Sequence, residues 1–334
     1  MRQILLASAC ALLLSGAAAA SQPDPLPSWN AGPAKAAIED FVRTTTTPAS
    51  HDFVPQAERV ATFDQDGTLW VEQPIYSQVM YCFEQVPQVV KAHPELAGRE
   101  PFKTVLSGNR GAIAHLRMPD LLQIAAATLT GMTVDEFNTS VKAWIATARD
   151  PRWHRHYTEL TYQPMQEVLK YLRANGYKTY IVTGGGQDFV RAYAEQTYGI
   201  PPEQIVGSVG GTKFSGKDGE PVLLKEPKLL LNDDHAGKAE GIHMMIGRRP
   251  YAAFGNSLGD QEMLQYTQAG PGARLEMLVL HDDAKREYAY GPAQGLRDSK
   301  VGSFPQLLYD TAHKNGWTVI SMKQDWKTIF AFPE

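Results

Sequence analysis

The sequence predicts an α/β protein with a parallel sheet core and an inserted all-helical segment, and three observations carry that expectation. Val60-Ala61-Thr62-Phe63 is a short apolar run that ends abruptly at Asp64-Gln65-Asp66-Gly67-Thr68, as a buried strand running into a polar turn would. From Pro164 onward a helical pattern, a strand pattern and a Gly-rich turn follow one another repeatedly, which is the alternation of a parallel sheet. Between these parts, from Pro74 to about Glu159, apolar residues recur almost wholly at helical spacing.

Taken in order, the chain opens with Met1-Arg2, an apolar run from Ile4 to Leu14, and Ala18-Ala19-Ala20 before Ser21. This is the pattern of a secretory signal peptide cleaved near Ala20, and it implies a periplasmic or secreted protein. The run is too short to span a bilayer, so no membrane anchor is expected. Ala7, three residues before Cys10, disfavours a lipoprotein, and loss of the leader would leave Cys82 as the one cysteine and no internal disulfide. Residues 21–57 read as an N-terminal extension packed on the surface or partly mobile, with a short helix around Ala34 to Val42. Val60 to Phe63 is the first core strand. Helices are expected over Gln78 to Lys91, Pro119 to Leu129 and Val134 to Ala148, the last opened by a Thr133/Glu136 capping box.

After this insert, Pro164 to Asn175 is an amphipathic helix, and Lys178 to Val182 is a strand entering Thr183-Gly184-Gly185-Gly186. A helix over Asp188 to Thr197, a strand from Gln204 to Val209 and a hairpin across Lys217-Asp218-Gly219-Glu220 come next. Lys238 to Ile246 is helical, and Tyr251 to Phe254 is a strand entering Gly255-Asn256-Ser257-Leu258-Gly259-Asp260. Arg274 to Leu280 and Trp317 to Ser321 supply further strands. The organisation is thus a leader over 1–20, the extension over 21–57, a core over 58–73 and 160–334, and a helical cap over 74–159. Composition agrees: 334 residues at 43% hydrophobic content suffice for a large core. The net charge of -4, without a long Lys/Arg run, argues against nucleic acid as a partner. Oligomeric state is not written in the sequence.

The chemistry concentrates at strand ends, where open α/β sheets bind ligands. Asp64 and Asp66 lie two residues apart and so face one side of an extended chain. One carboxylate can attack phosphorus and hold a metal while the other handles the leaving group's proton. A carboxylate is a weak nucleophile against an anionic ester, so a hard cation with oxygen ligands is required, and Mg²⁺ is the expected cofactor.

Four motifs stand in order: Asp64-Gln65-Asp66-Gly67-Thr68, Thr183-Gly184-Gly185, Lys238 in Gly237-Lys238-Ala239-Glu240, and Gly255 to Asp260. In these the chain resembles the haloacid dehalogenase-like hydrolase superfamily, in its phosphoserine-phosphatase-like branch, over Val60 to Phe63 and about Thr161 to Leu280. The resemblance implies a Rossmann-like parallel core under the helical cap. It implies Asp64 as the nucleophile that becomes an aspartyl-phosphate, and Asp66 as general acid and then base. Thr183 with the Gly184 and Gly185 backbone would bind phosphoryl oxygens, Lys238 would supply fixed positive charge, and Asp64, the Asp66 carbonyl, Asp260 and Asn256 would hold the metal. Two positions depart from the pattern. Asn256 stands where the family has Asp, and Glu72, kept as a candidate substrate contact, stands one residue off the place of the Glu that meets a substrate amine.

Competing residues are weighed on local context. Lys225 and Lys228 flank Pro227, an extended context, so Lys238 is preferred for the third motif. His154 and His156 have no carboxylate at ligand spacing and read as solvated. Asp282 and Asp283 end a strand and read as surface or supporting groups, and Trp70 and Tyr76 either wall a pocket or pack the insert on the core. The resulting expectation is an Mg²⁺-dependent phosphomonoester hydrolase acting on a small phosphorylated metabolite outside the cytoplasm. A phosphotransferase to an alcohol, or a phosphate-ligand binding protein without turnover, is the alternative. Hydrolytic dehalogenation is disfavoured, because family dehalogenases lack the second Asp.

Overall fold

Strand β1 (Val60–Phe63) is buried at every position, which is why its sequence is a continuous apolar run and not an alternating one. A computed structural model describes residues 23–217 and 219–333, so the expected leader lies outside the described residues. The other strands are β2 (Lys178–Gly186), β3 (Ile205–Lys217), β4 (Glu220–Leu231), β5 (Ala252–Gly255), β6 (Leu275–Leu280) and β7 (Thr318–Ser321). They form one seven-stranded sheet in the order β4-β3-β2-β1-β5-β6-β7. All pairs are parallel except the β3/β4 hairpin.

β1 lies at the centre, with Phe63 opposite Ile181 on one side and Phe254 on the other. The Phe63 and Phe254 rings stack with centroids 4.5 Å apart, so the two strands that end in acidic turns are locked in register directly beneath those turns. The strand order reverses at β1, and the ends of β1, β2 and β5 therefore open onto one crevice.

The stretch between β1 and the helix Gln163–Ala174 carries the helices Ser77–Ala92, Phe102–Leu106, Arg110–Ile113, Met118–Thr128 and Val134–Ile145. The Thr133/Glu136 capping box forms as expected, with the Thr133 N–H donating to Glu136 at 2.7 Å and the Glu136 N–H donating to Thr133 Oγ1 at 3.1 Å. The β3/β4 ribbon is longer than the sequence suggested and rises to meet this insert. Lys225 donates its N–H to Met132 O at 2.9 Å and accepts from the Gly131 N–H at 3.0 Å. Among the described residues no helix is long and apolar enough to cross a membrane. Cys82 is buried and unpaired.

Three local expectations need correction. The stretch expected to pack on the surface or move freely is built into the core: Leu26 and Ile38 are fully buried, and Trp29 meets Trp326 edge-on at 6.0 Å. The helix Pro33–Thr46 explains this, because Ala34, Ile38, Phe41 and Val42 make one apolar face that needs a partner surface. Ser28 anchors the segment by donating its N–H and hydroxyl to Glu167 at 2.9 and 2.7 Å. Second, β2 does not stop at Val182 but continues through Gly186, with its register against β3 shifting between Thr183 and Gly186. The glycines tolerate this irregular strand end, which is therefore a bulged edge and not a free turn. Third, the helix expected over Asp188 to Thr197 divides into Gln187–Arg191 and Ala194–Tyr198, because Tyr193 leaves the helical region at φ -135°, ψ -11°.

Candidate active site

The centre of the crevice is an ammonium group shared by two carboxylates. Lys238, on the helix Ala236–Gly241, donates to Asp64 Oδ1 and Asp260 Oδ1 at 2.6 Å each and to Val182 O at 3.0 Å. All three of its N–H bonds are thereby used on protein acceptors, and its exposure is 2%. Burial alone would lower the lysine's pKa, but Asp260 and Asp64 outweigh it and hold the group above its ordinary value, hence charged. Of the three candidate lysines, Lys238 is the one that stands between the acidic strand ends. Lys225 instead pairs with Asp188 over the Phe137 ring, and Lys228 lies exposed on β4.

Asp64 is fixed by its own N–H, which donates to Phe254 O at 2.8 Å, so the end of β1 is tied to β5. Its pKa lies well above the usual carboxylate range, first because of burial and then because of Asp260, with Lys238 opposing both. Asp66 is pushed up to about 6 by burial, although the Trp70 indole N–H donates to its Oδ1 at 2.6 Å and pulls the other way. Trp70 is fully buried and stacks on Tyr193 at 5.2 Å, so it backs Asp66 and does not wall an open pocket. Gly67 makes the turn possible. Its φ is +74°, and a Cβ there would stand 2.1 Å from Asn256 Nδ2 and 2.4 Å from Glu72 Oε1.

Asp260 was expected among the metal ligands, and its geometry places it behind the site. Oδ1 is taken by Lys238, while Oδ2 accepts from the N–H groups of Asn256 and Ser257 at 3.0 Å each and from the Ser257 hydroxyl at 3.2 Å. With both oxygens occupied, it shapes the loop after β5 and holds Lys238. Glu72 is corrected in the same way. It was expected to meet substrate, yet it is 2% exposed, and its Oε1 accepts from Asn256 Nδ2 and from the Tyr290 hydroxyl at 2.7 Å each. Burial pushes it up to about 8 against the opposing pull of His281 and Tyr290. Asn256 Oδ1 in turn accepts from the Thr68 hydroxyl at 3.2 Å, so the amide is bound at both ends.

Thr183 is buried toward the end of β2, and its hydroxyl oxygen accepts the Gly185 N–H at 3.1 Å, so that amide is already spent within the strand end. Gly184 accepts from the Ser208 hydroxyl at 2.8 Å through its carbonyl. Gln78, on the insert helix Ser77–Ala92, reaches over this edge and accepts the Gly186 N–H at 2.7 Å.

Sequence reasoning missed several supports. His281, the residue after β6, sits between Glu287 Oε2 at 3.0 Å and Gly67 O at 2.8 Å, stacks on Tyr290 at 4.5 Å, and so holds the first-motif turn from behind. Its position at a strand end was the available signal, but the acids beside it drew the attention. Those acids are structural: Asp282 accepts from the Ser321 hydroxyl at 2.5 Å, and Asp283 accepts from Arg286 at 2.6 Å. His154 is exposed, and His156 meets Arg149 at 3.0 Å.

Among the described residues no group of three or more His, Cys, Asp or Glu side chains is arranged to hold a metal ion. Mg²⁺ does not need one, since it retains water and takes carbonyl and amide oxygens. The donors here are hard oxygens: the Asp64 carboxylate, the Asp66 carbonyl and Asn256 Oδ1. Beside them the two carboxylates of Asp64 and Asp260 share the single ammonium of Lys238. That local excess of negative charge fits a divalent cation.

Residues 61–265 match the family model described as haloacid dehalogenase-like hydrolase. No curated protein matches the sequence. Among solved structures, similarity extends to a conserved functionally unknown protein from Anaerococcus prevotii DSM 20548, at 14% identity over 75% of this chain and 86% of that one, with a TM-score of 0.50. A protein with unknown function from Bordetella pertussis Tohama I is similar at 16% identity over 79% and 98% of the two chains, with a TM-score of 0.46. A phosphoserine phosphohydrolase-like protein from Francisella tularensis subsp. tularensis SCHU S4 is similar at 18% identity over 67% and 88%, with a TM-score of 0.37. The family match covers all four motifs, three at strand ends and the Lys238 motif on a helix, and on that ground the chain belongs to the haloacid dehalogenase-like hydrolases.

Proposed function

We propose that this hydrolase is an Mg²⁺-dependent phosphatase that cleaves phosphomonoesters of a small metabolite by way of an aspartyl-phosphate on Asp64, and that it works outside the cytoplasm. The observation that carries the reading is the Asp64–Lys238–Asp260 cluster, with Asp66 poised beside it on the same turn. Lys238 pins Asp64 through Oδ1, which leaves Oδ2 as the oxygen to attack phosphorus. Asp66, near pKa 6, gives a proton to the leaving alkoxide and later takes one from the water that hydrolyses the aspartyl-phosphate. The Thr183 hydroxyl and the Gly184 N–H bind phosphoryl oxygens as charge grows on them. Bound by Asp64, the Asp66 carbonyl and Asn256, Mg²⁺ would screen the repulsion between carboxylate and phosphate. The helical insert, through Gln78, covers the glycine edge and limits the water that reaches it. The leader pattern at residues 1–20 supports export.

The test is release of inorganic phosphate from a chromogenic phosphate ester by the purified protein with Mg²⁺ and with excess chelator. Release that depends on Mg²⁺ and on Asp64 is expected. Release unaffected by both would overturn the proposal.

A further inference from the structure

Asn256 presents a problem that a carboxylate would not. An Asp offers an oxygen whichever way its group turns, whereas an Asn offers an oxygen one way and an N–H donor the other. A cation site tolerates only the first. Something must fix the amide, and the side chains around it are arranged to do so. Glu72 Oε1 lies 2.7 Å from Nδ2 and also takes the Tyr290 hydroxyl at 2.7 Å, so this oxygen acts as an acceptor and only the amide nitrogen can face it. At the other end the Thr68 hydroxyl donates to Oδ1 at 3.2 Å.

Glu72 is itself held. The Tyr290 hydroxyl donates to the same oxygen at 2.7 Å. The pair occupies space that two glycines leave empty: a Cβ on Gly67 would fall 2.1 Å from Asn256 Nδ2, and one on Gly302 would fall 1.7 Å from Glu72 Oε1. Asn256 is 1% exposed, so solvent does not compete for either end.

We propose that Glu72 is a positioning residue that orients the Asn256 amide, so that its oxygen faces the cation site, and that the pair replaces the carboxylate that family members carry at position 256. The inference rests on the Mg²⁺ reading above. It also changes what Asn256→Asp should do, since an aspartate there removes the N–H that Glu72 Oε1 accepts and sets an acceptor against an acceptor.

Isothermal titration of the intact protein with Mg²⁺, in the absence of substrate, tests this without recourse to turnover. Glu72→Ala should weaken Mg²⁺ binding roughly 10- to 100-fold, the range for removing a partner that orients a ligand. Glu72→Gln keeps an oxygen for both donors and should stay within about threefold of the unaltered protein. Asn256→Asp alone should bind no more tightly than the unaltered protein. Asn256→Asp combined with Glu72→Gln restores a donor facing an acceptor, with the Tyr290 hydroxyl turning to accept, and should bind more tightly than Asn256→Asp alone. The comparison between those last two decides the matter even if Glu72→Ala does not fold. Unchanged affinity in folded Glu72→Ala, or no gain from Glu72→Gln in the Asn256→Asp background, overturns the inference while leaving the Mg²⁺ reading intact. Absence of Mg²⁺ binding by the unaltered protein overturns both.

Discussion

Replacing Trp70 by Phe keeps a ring against Tyr193 but removes the indole N–H that donates to Asp66 at 2.6 Å. A hydrogen bond to a charged group is worth about 1.5–3 kcal/mol. At 1.36 kcal/mol per unit, losing it raises the Asp66 pKa by about 1–2 units. Asp66 sits at about 6, so the variant's value falls near 7 to 8. The direction follows from which form the bond favours: the indole stabilises the carboxylate, and its loss favours the acid.

If Asp66 must be ionised to deprotonate the hydrolytic water, its basic form at pH 6.5 drops roughly 3- to 25-fold, and the aspartyl-phosphate accumulates. Stability moves in step. The folded-state pKa of Asp66 already exceeds the unfolded value of about 3.9, so between the two the folded protein binds more protons and loses stability as pH rises. Trp70→Phe widens that window upward. Its extra loss begins near pH 6, reaches about 1.5–3 kcal/mol above pH 8, and adds to a pH-independent packing loss. The assays are a pH–rate profile of phosphate release and urea denaturation in chelator at pH 4.5 and pH 8. A folded variant whose acidic limb moves by less than 0.3 unit would refute the claim that Trp70 tunes Asp66.

Asp64→Asn should fold with an unchanged far-UV circular dichroism spectrum and release no phosphate, because an amide does not attack phosphorus. Asp66→Asn should slow steady-state turnover on the order of 10²- to 10⁴-fold, with esters of good leaving groups losing least in single-turnover phosphoenzyme formation. Burial pulls the His281 imidazole down, but its bond to Glu287 and the nearby Glu72 leave it above the ordinary value of about 6.5. The stabilisation from that protonated ring is complete below pH 6.5 and is lost as pH rises through the higher folded value, so Glu287→Gln should flatten the pH dependence of urea denaturation. Trp29→Ala should cost about 3–5 kcal/mol in the same experiment, since the buried indole meets Trp326 edge-on and donates to Pro164 O at 3.1 Å.

What the sequence determined by itself was local in origin. A strand buried on both faces must be apolar along its length, and a polar turn that brings backbone close to other groups must contain glycine, so β1, β5 and the turns after them announce themselves in a few consecutive residues. The order of the motifs then specified the parallel sheet and brought Asp64, Thr183 and Lys238 to its edge. Helical periodicity marked the insert just as directly, and it also marked Pro33–Thr46 as amphipathic, but no pattern within that segment says what its apolar face will cover. Only the tertiary structure decided this, because burial of a face depends on the surface that meets it. The same holds for the role of each polar group. Lys238 reaches Asp64 across 174 positions, Asn256 reaches Glu72 across 184, and His281 reaches Gly67 across 214. Asp260 and Glu72 looked available for a metal and a substrate because a sequence shows residue types and not occupied lone pairs. Once the chain folds, every buried donor must find an acceptor, and these carboxylates are the acceptors that the loop amides, Lys238, Asn256 and Tyr290 found.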